Sequence, residues 1–268
     1  EWLNQNLSNP NLVILDASLE KNASGKEFEK FDGTIPLARK FDLKNVFLDK
    51  KSPFPNTLPT PKEFETEVRK LGINKDSEIV VFDSVGVYSS PRVWWLFNIM
   101  GHTNISVLDG GLPNWINGGF PTEEKHAESF EMGNFELNFD ESLVVHFDEV
   151  SNNVHEPHFL VVDARSDARF NGSGKEPWKH LKSGKIEYSV NIPFQELLVN
   201  GRFKSQPDLK EIFERTSKGE KDQVISCGSG LSACIVMLAS QMSYSESKKV
   251  YDGSWTEWAE RNKLTYDV

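Results

Sequence analysis

Two cysteines among 268 residues exclude a disulfide framework. So few cysteines favour a reducing compartment, cytoplasmic or mitochondrial. Basic residues are also scarce: 30 Lys and Arg face 40 Asp and Glu, for a net charge of −10. That balance argues against broad binding to nucleic acid or to an anionic membrane. No long hydrophobic run is present. Apolar clusters such as Val93-Trp-Trp-Leu-Phe97 are far too short to span a bilayer. Cys227 and Cys234 are spaced poorly for a chelate, and no paired Cys/His spacing appears, so no metal site is expected. The histidines (His102, His126, His146, His155, His158 and His180) fall in no recognisable pairing motif, and most read as surface residues. The chain opens on Glu1 without a basic, apolar leader, which reads as a processed or trimmed chain with any targeting segment out of view.

What is present suits a globular protein with a sizeable core. Apolar residues make up 38% and charged residues 26%, and 7 Trp and 18 Phe supply large side chains. The chain also repeats itself. Val107-Leu-Asp-Gly-Gly-Leu-Pro-Asn-Trp115 returns as Val250-Tyr-Asp-Gly-Ser-Trp-Thr-Glu-Trp258. Ile14-Leu-Asp-Ala-Ser18 returns as Val161-Val-Asp-Ala-Arg165, Ile35-Pro36 as Ile192-Pro193, and Ile79-Val-Val-Phe-Asp83 as Val224-Ile-Ser-Cys227. The order is kept at offsets of 143 to 157 residues, which indicates a duplicated domain. The first domain is expected over 1–121 and the second over 143–268. Between them, residues 122–142 are polar and acidic and read as a linker that wraps a domain surface.

Local signals give the fold class. Thr60-Pro-Lys-Glu63 combines an N-cap, a first-turn Pro and a capping-box Glu. Phe64, Val68 and Leu71 then share a face, and Gly72 ends the helix. Pro207 and Asp208 open a similar helix carrying Leu209, Ile212 and Phe213. Each helix leads into an apolar strand, at 79–82 and 223–226, and another helix follows at about 90–100 and 231–242. Alternating strands and helices predict an α/β fold with a mainly parallel sheet in each domain. Ligands on such sheets bind beyond the carboxyl ends of the strands.

Cys227 stands at such an end. Gly228, Ser229 and Gly230 follow it, then Leu231, Ser232 and a helix. A cysteine facing the unpaired N–H groups of a helix start sits where negative charge, and so the thiolate, is favoured. Two glycines beside it serve a tightly turned loop rather than packing. Cys234, beside Ile235 and Leu238, reads as core. The matching position in the first half is Asp83, which is no thiol nucleophile, so that half is expected to support the fold and one wall of a cleft. A phosphatase of the Cys-x5-Arg type is disfavoured because Ala233 stands where the arginine must be. A papain-like protease lacks its histidine motif. Sulfur transfer through a persulfide, without a cofactor, is the chemistry left.

Cys227-Gly-Ser-Gly-Leu-Ser232, Val250-Tyr-Asp-Gly-Ser-Trp-Thr-Glu-Trp258, Ser90-Pro-Arg-Val-Trp-Trp95 and Leu108-Asp-Gly-Gly-Leu112 resemble the tandem rhodanese family over nearly the whole chain. The nearest resemblance is to its 3-mercaptopyruvate sulfurtransferase branch. It implies two rhodanese domains, the first inactive and the second holding a persulfide on Cys227 within the loop Gly228–Ser232. It implies a small anionic donor, with 3-mercaptopyruvate favoured by the Gly-Ser-Gly loop over thiosulfate, whose enzymes carry basic residues there. A diverged, low-turnover sulfur-binding member is the further alternative. The acceptor would be a thiol, thioredoxin or cyanide. Ser229 would polarise the donor, and Arg169 would bind its carboxylate. Lys179 stands near the place of a second family arginine. Asn56 and Lys44 replace the histidine and aspartate of a Ser-His-Asp relay, and Gly184-Lys-Ile-Glu-Tyr188 replaces a Gly-His-Ile-Pro-Gly pattern.

Overall fold

In the computed structural model, which describes residues 1–217, 222–244 and 248–266, two parallel sheets are formed from the two halves of the chain. The first contains β1 (Leu12–Asp16), β2 (Arg39–Lys40), β3 (Glu78–Phe82) and β4 (Ile105–Val107). The second contains β5 (Val144–Val145), β6 (Leu160–Asp163), β7 (Ser189–Asn191), β10 (Gln223–Ser226) and β11 (Lys249–Tyr251). The remaining strands, β8 (Leu198–Val199) and β9 (Arg202–Phe203), form a separate antiparallel hairpin.

The duplication is legible strand by strand. The first sheet runs β2-β1-β3-β4; the second runs β7-β6-β10-β11 and adds β5 at its edge. Asp16 pairs in register with Phe82, and Asp163 with Ser226. Central strands such as Leu-Val-Ile-Leu-Asp in β1 and Gln-Val-Ile-Ser in β10 are apolar on both faces because helices cover both sides of a parallel sheet. Among the described residues, no helix is long and apolar enough to cross a membrane.

The helix at Pro61–Lys70 starts as its sequence dictates. Thr60 Oγ1 accepts from the Glu63 N–H, and the Glu63 carboxylate accepts from the Thr60 N–H. The second-half counterpart is Gln206–Ser217. Two further helices, Ser90–Ile99 and Ser232–Ser243, are apolar nearly all round, with Trp95, Phe97, Ala233 and Val236 fully buried. Such helices belong inside a protein. They pack against each other, so one hydrophobic core runs from one half into the other. Each begins just beyond the tip of its domain's central strand, and Arg92 near the start of one reaches the Gly230 carbonyl just before the other.

Residues 122–140 contain no regular helix or strand. They lie along the first half, where Ala127, Gly133, Phe135 and Asn138 donate backbone hydrogen bonds to Ala38, Arg69, Ile73 and Met100. Phe135 is fully buried there, between Phe64 and Phe97. His126 Nε2 lies 2.7 Å from the buried Asp16 carboxylate.

Candidate active site at the tip of β10

Cys227 follows β10 directly and is 1% exposed. The Gly230 N–H donates to its sulfur at 3.1 Å. The N–H groups of Ser229, Leu231 and Ser232, at the start of the helix Ser232–Ser243, make no hydrogen bond among the described residues. They form an open nest for negative charge. Two glycines make the nest possible. Gly230 has φ +82°, a conformation that disfavours side chains. A side chain on Gly228 would begin 2.7 Å from Arg169 Nη2, so this glycine lets the guanidinium lie against the loop.

The first half shows what such a nest does when it is filled. Asp83 occupies the place of Cys227 at the tip of β3. Its carboxylate accepts from the N–H groups of Val85, Tyr88, Ser89 and Ser90 at 2.8–3.0 Å, and from the Ser90 hydroxyl at 2.7 Å. The anion in that loop is the protein's own side chain.

The Asp-Gly-Ser stretch after β11 braces the active loop. Ser254 is fully buried and adopts φ +54°, a strained choice for a serine. Its Oγ accepts from the Cys227 N–H at 3.2 Å and lies 3.7 Å from the sulfur. The Trp255 and Thr256 N–H groups donate to the Cys227 and Gly228 carbonyls, and the Thr256 hydroxyl donates to Gly228 as well. The repeated stretch is visible in the sequence, but no role for Ser254 is. The signal was available: where the first half reads Asp109-Gly-Gly, the second reads Asp252-Gly-Ser.

Arg92 was also missed. It comes from the first half and is 1% exposed. Its guanidinium pairs with Asp252 at 2.8 Å, donates to the Asn56 and Gly230 carbonyls at 2.6 and 3.2 Å, and lies over the Trp95 ring. Asp252 also accepts from the Leu58 N–H at 2.7 Å. One buried arginine thus ties the loop bearing Asn56 to the loop bearing Cys227.

Ser229, 4% exposed, meets the first half through Asn56. Asn56 Nδ2 donates to the Ser229 carbonyl at 2.9 Å and to its Oγ at 3.0 Å. Lys44 Nζ donates to Asn56 Oδ1 at 2.8 Å. Arg169 is pinned on the other side of the loop. Its Nε and Nη2 donate to the buried Glu176 carboxylate, which also accepts from Arg165 at 2.9 Å. Nη1 makes no hydrogen bond among the described residues. Arg165 itself pairs with Asp163 and stacks over Trp255. Tyr88, raised by burial above the usual phenol range, lies close enough to feel charge on Cys227 and Arg169.

Lys179 is exposed and lines a cavity of about 350 Å³ with Glu176, Leu181 and Tyr266. Leu231 is buried against the core and Ser232 opens the helix. Cys234 is fully buried, and its thiol donates to the Gly230 carbonyl at 3.3 Å. His102 is the buried exception among the histidines, 6% exposed and 3.0 Å from the Ser77 carbonyl. It packs beside Phe97 and Phe135, where its ring fills core space. Among the described residues no cluster of His, Cys, Asp and Glu could hold a metal ion.

Two parallel α/β sheets, joined through packed helices, thus place a cysteine beside backbone N–H groups at the tip of one central strand. The Rhodanese-like domain pattern matches the chain twice, at residues 1–117 and 146–261, and the chain belongs to the rhodanese family. It is 35% identical over 270 residues to the 3-mercaptopyruvate sulfurtransferase of Escherichia coli K12, covering 98% of this chain and 95% of that one. It is also 33% identical over 271 residues to the thiosulfate sulfurtransferase of Rattus norvegicus, covering 97% and 91%. The crystal structure of an Escherichia coli 3-mercaptopyruvate enzyme superposes with a TM-score of 0.83 at 34% identity, covering 95% of this chain and 96% of that one.

Proposed function

We propose that this sulfurtransferase moves a sulfane sulfur from 3-mercaptopyruvate to a thiol through a persulfide on Cys227. The observation that carries the reading is the unfilled N–H nest around the Cys227 sulfur, set against the same nest closed by Asp83 in the first half. On this reading the first half is inactive and forms one wall of the site.

The Cys227 thiolate attacks the donor sulfur. The S–S bond forms as the carbon–sulfur bond breaks, and the electron pair leaves as the enolate of pyruvate. The donor's thiol proton is released, and the enolate takes one up to give pyruvate, so Cys–S⁻ and mercaptopyruvate become Cys–S–S⁻ and pyruvate. Free N–H groups of the loop stabilise the persulfide charge, as preorganised donors do for developing anions. A thiol then takes the outer sulfur and leaves as its own persulfide, returning Cys227 to thiolate; cyanide would leave as thiocyanate. Thioredoxin, as a dithiol protein, fits the same acceptor role.

Arg169 Nη1 holds the donor carboxylate while Glu176 fixes the guanidinium plane. Ser229 donates to the donor's keto oxygen, where enolate charge develops. Lys179, being exposed, steers the anion toward the Arg169 side of the cleft rather than clamping it. The loop after Cys227 carries no Lys or Arg, which favours a keto acid over the thiosulfate dianion.

The test is intact mass before and after incubation with 3-mercaptopyruvate, beside Cys227→Ser. A gain of one sulfur, absent from the variant and reversed by cyanide, is expected. No gain from 3-mercaptopyruvate, with a gain from thiosulfate, would replace the donor and keep the persulfide. No gain from either would overturn the reading.

A further inference from the structure

We infer that Asn56 and Lys44 are positioning residues that fix the direction of the hydrogen bonds at Ser229, making its hydroxyl a one-way donor to the sulfur donor's oxygen. The inference rests on the proposed sulfur transfer and says how one side chain serves it.

The argument is one of donors and acceptors. An ammonium group has only protons to give, and a backbone carbonyl has only lone pairs. Lys44 Nζ lies 2.8 Å from one end of the Asn56 amide, so that end is the oxygen. The Ser229 carbonyl lies 2.9 Å from the other end, so that end is the NH2 group. The two neighbours settle the amide orientation independently and agree. A flipped amide would set an NH2 group against the ammonium and an oxygen against the carbonyl. The same NH2 group lies 3.0 Å from Ser229 Oγ, which must therefore accept. The hydroxyl proton has no acceptor among the described residues and is left for the substrate.

The chain Lys44 to Asn56 to Ser229 consequently carries polarisation in one direction and no proton. Neither an amide nor an ammonium can take the Ser229 proton, so Ser229 remains a hydroxyl throughout and acts by stabilising enolate charge. Asn56 also suits its backbone. It adopts φ +59°, a conformation that Asn and Asp tolerate better than other residues with side chains. Arg92 holds the Asn56 carbonyl from the opposite side, so the amide is presented from an anchored loop.

That backbone tolerance makes Asn56→Asp the informative variant. The shape is kept, but the carboxylate can only accept, and it draws the Ser229 proton inward. Four proteins are compared in single-turnover persulfide formation and steady state: the parent, Asn56→Asp, Ser229→Ala and the double variant. Asn56→Asp is expected to lower kcat about 100-fold, the scale of losing one preorganised donor, with KM little changed. In the Ser229→Ala background it should cost less than threefold, because no hydroxyl remains to be reversed. An equal loss in both backgrounds, or full activity of Asn56→Asp, would overturn the inference. Far- and near-UV circular dichroism should match in all four proteins, which excludes a collapsed fold.

If the parent takes sulfur from thiosulfate alone, the choice of donor fails. The same pattern is then expected on thiosulfate, whose sulfonate oxygen also accepts a proton. A readout without any donor accompanies these. In ¹⁵N-labelled protein the Asn56 side-chain amide protons, assigned by their loss in Asn56→Asp, should exchange slowly with solvent. Rapid exchange would overturn the inference whatever the donor.

Discussion

Replacing Arg92 with Met should be among the most damaging single changes outside the nucleophile, and the structure sets the size of the effect. The guanidinium is 1% exposed, and its ion-pair partner Asp252 is only 7% exposed. Met retains much of the stem volume and the contact with Trp95, so little of the loss should be a cavity. What remains is a buried carboxylate without its cation, plus two buried carbonyls, of Asn56 and Gly230, without their donor. Breaking a buried pair from one side costs about 3–5 kcal/mol. Part of this is offset because Asp252 keeps the Leu58 N–H at 2.7 Å. At about 2–4 °C per kcal/mol for a chain of this size, Tm should fall by roughly 6–20 °C. Urea unfolding followed by Trp fluorescence and by calorimetry checks this, with both probes needed to show that the two halves unfold together. Arg92→Met/Asp252→Asn should recover at least about 1 kcal/mol of the single variant's loss, since the orphaned charge is gone. A loss below about 1 kcal/mol for Arg92→Met, or no recovery in the double variant, would refute the assignment of Arg92 as the tie between the halves.

Three further outcomes are expected. Arg169→Met should raise KM for 3-mercaptopyruvate about 10- to 100-fold, the scale of one charge-assisted hydrogen bond, while Glu176 stays paired with Arg165; unchanged KM would remove Arg169 from donor binding. Burial alone would raise the Asp16 carboxyl, but hydrogen bonds from His126 and Ser18 and the charge of Lys40 outweigh it and hold it below the usual range. Its contribution is therefore complete above the ordinary carboxylate pKa of about 4 and lost as pH falls through the depressed folded value; urea midpoints of Asp16→Asn and the parent should converge in acid, and a constant gap would refute this. Burial pushes the Cys234 thiol up to about 12 against the pull of Arg92, so native protein treated with iodoacetamide at pH 8 should be alkylated at Cys227 and not at Cys234, as peptide mass spectrometry would show.

The contrast between Cys227 and Asp83 shows one loop position filled in two different ways. Both sit at the tip of a central parallel strand, at the N-terminus of a buried helix. In the first half a carboxylate is short enough to fold back onto its own loop and satisfy four N–H groups. In the second half the sulfur takes the Gly230 N–H, and among the described residues the N–H groups of Ser229, Leu231 and Ser232 have no partner. The duplicated scaffold is then built asymmetrically, with Arg92 and Asn56 of the first half reaching the Cys227 loop of the second.

The sequence by itself determined everything that depends on local order. Thr60-Pro-Lys-Glu63 specified a helix start because the cap is closed by neighbours three residues apart. The paired runs around Asp16 and Asp163, and around Val107 and Val250, revealed the duplication because each repeat keeps its own strand and turn. The place of Cys227 between a strand and a helix was legible as well, since the N–H groups that surround it come from the residues that follow it. Tertiary structure alone decided the contacts between residues far apart in the chain. Ser229 meets Asn56 across 173 residues, and Arg92 reaches Gly230 across 138. Nothing in the sequence near Arg92 announces a buried cation, because its partner Asp252 lies in the other half. Asn56 and Lys44 looked in sequence like the loss of a relay. Only the placement of an ammonium at one end of the amide and a carbonyl at the other shows a directed hydrogen-bond chain, because the direction of such a bond is set by what faces each end.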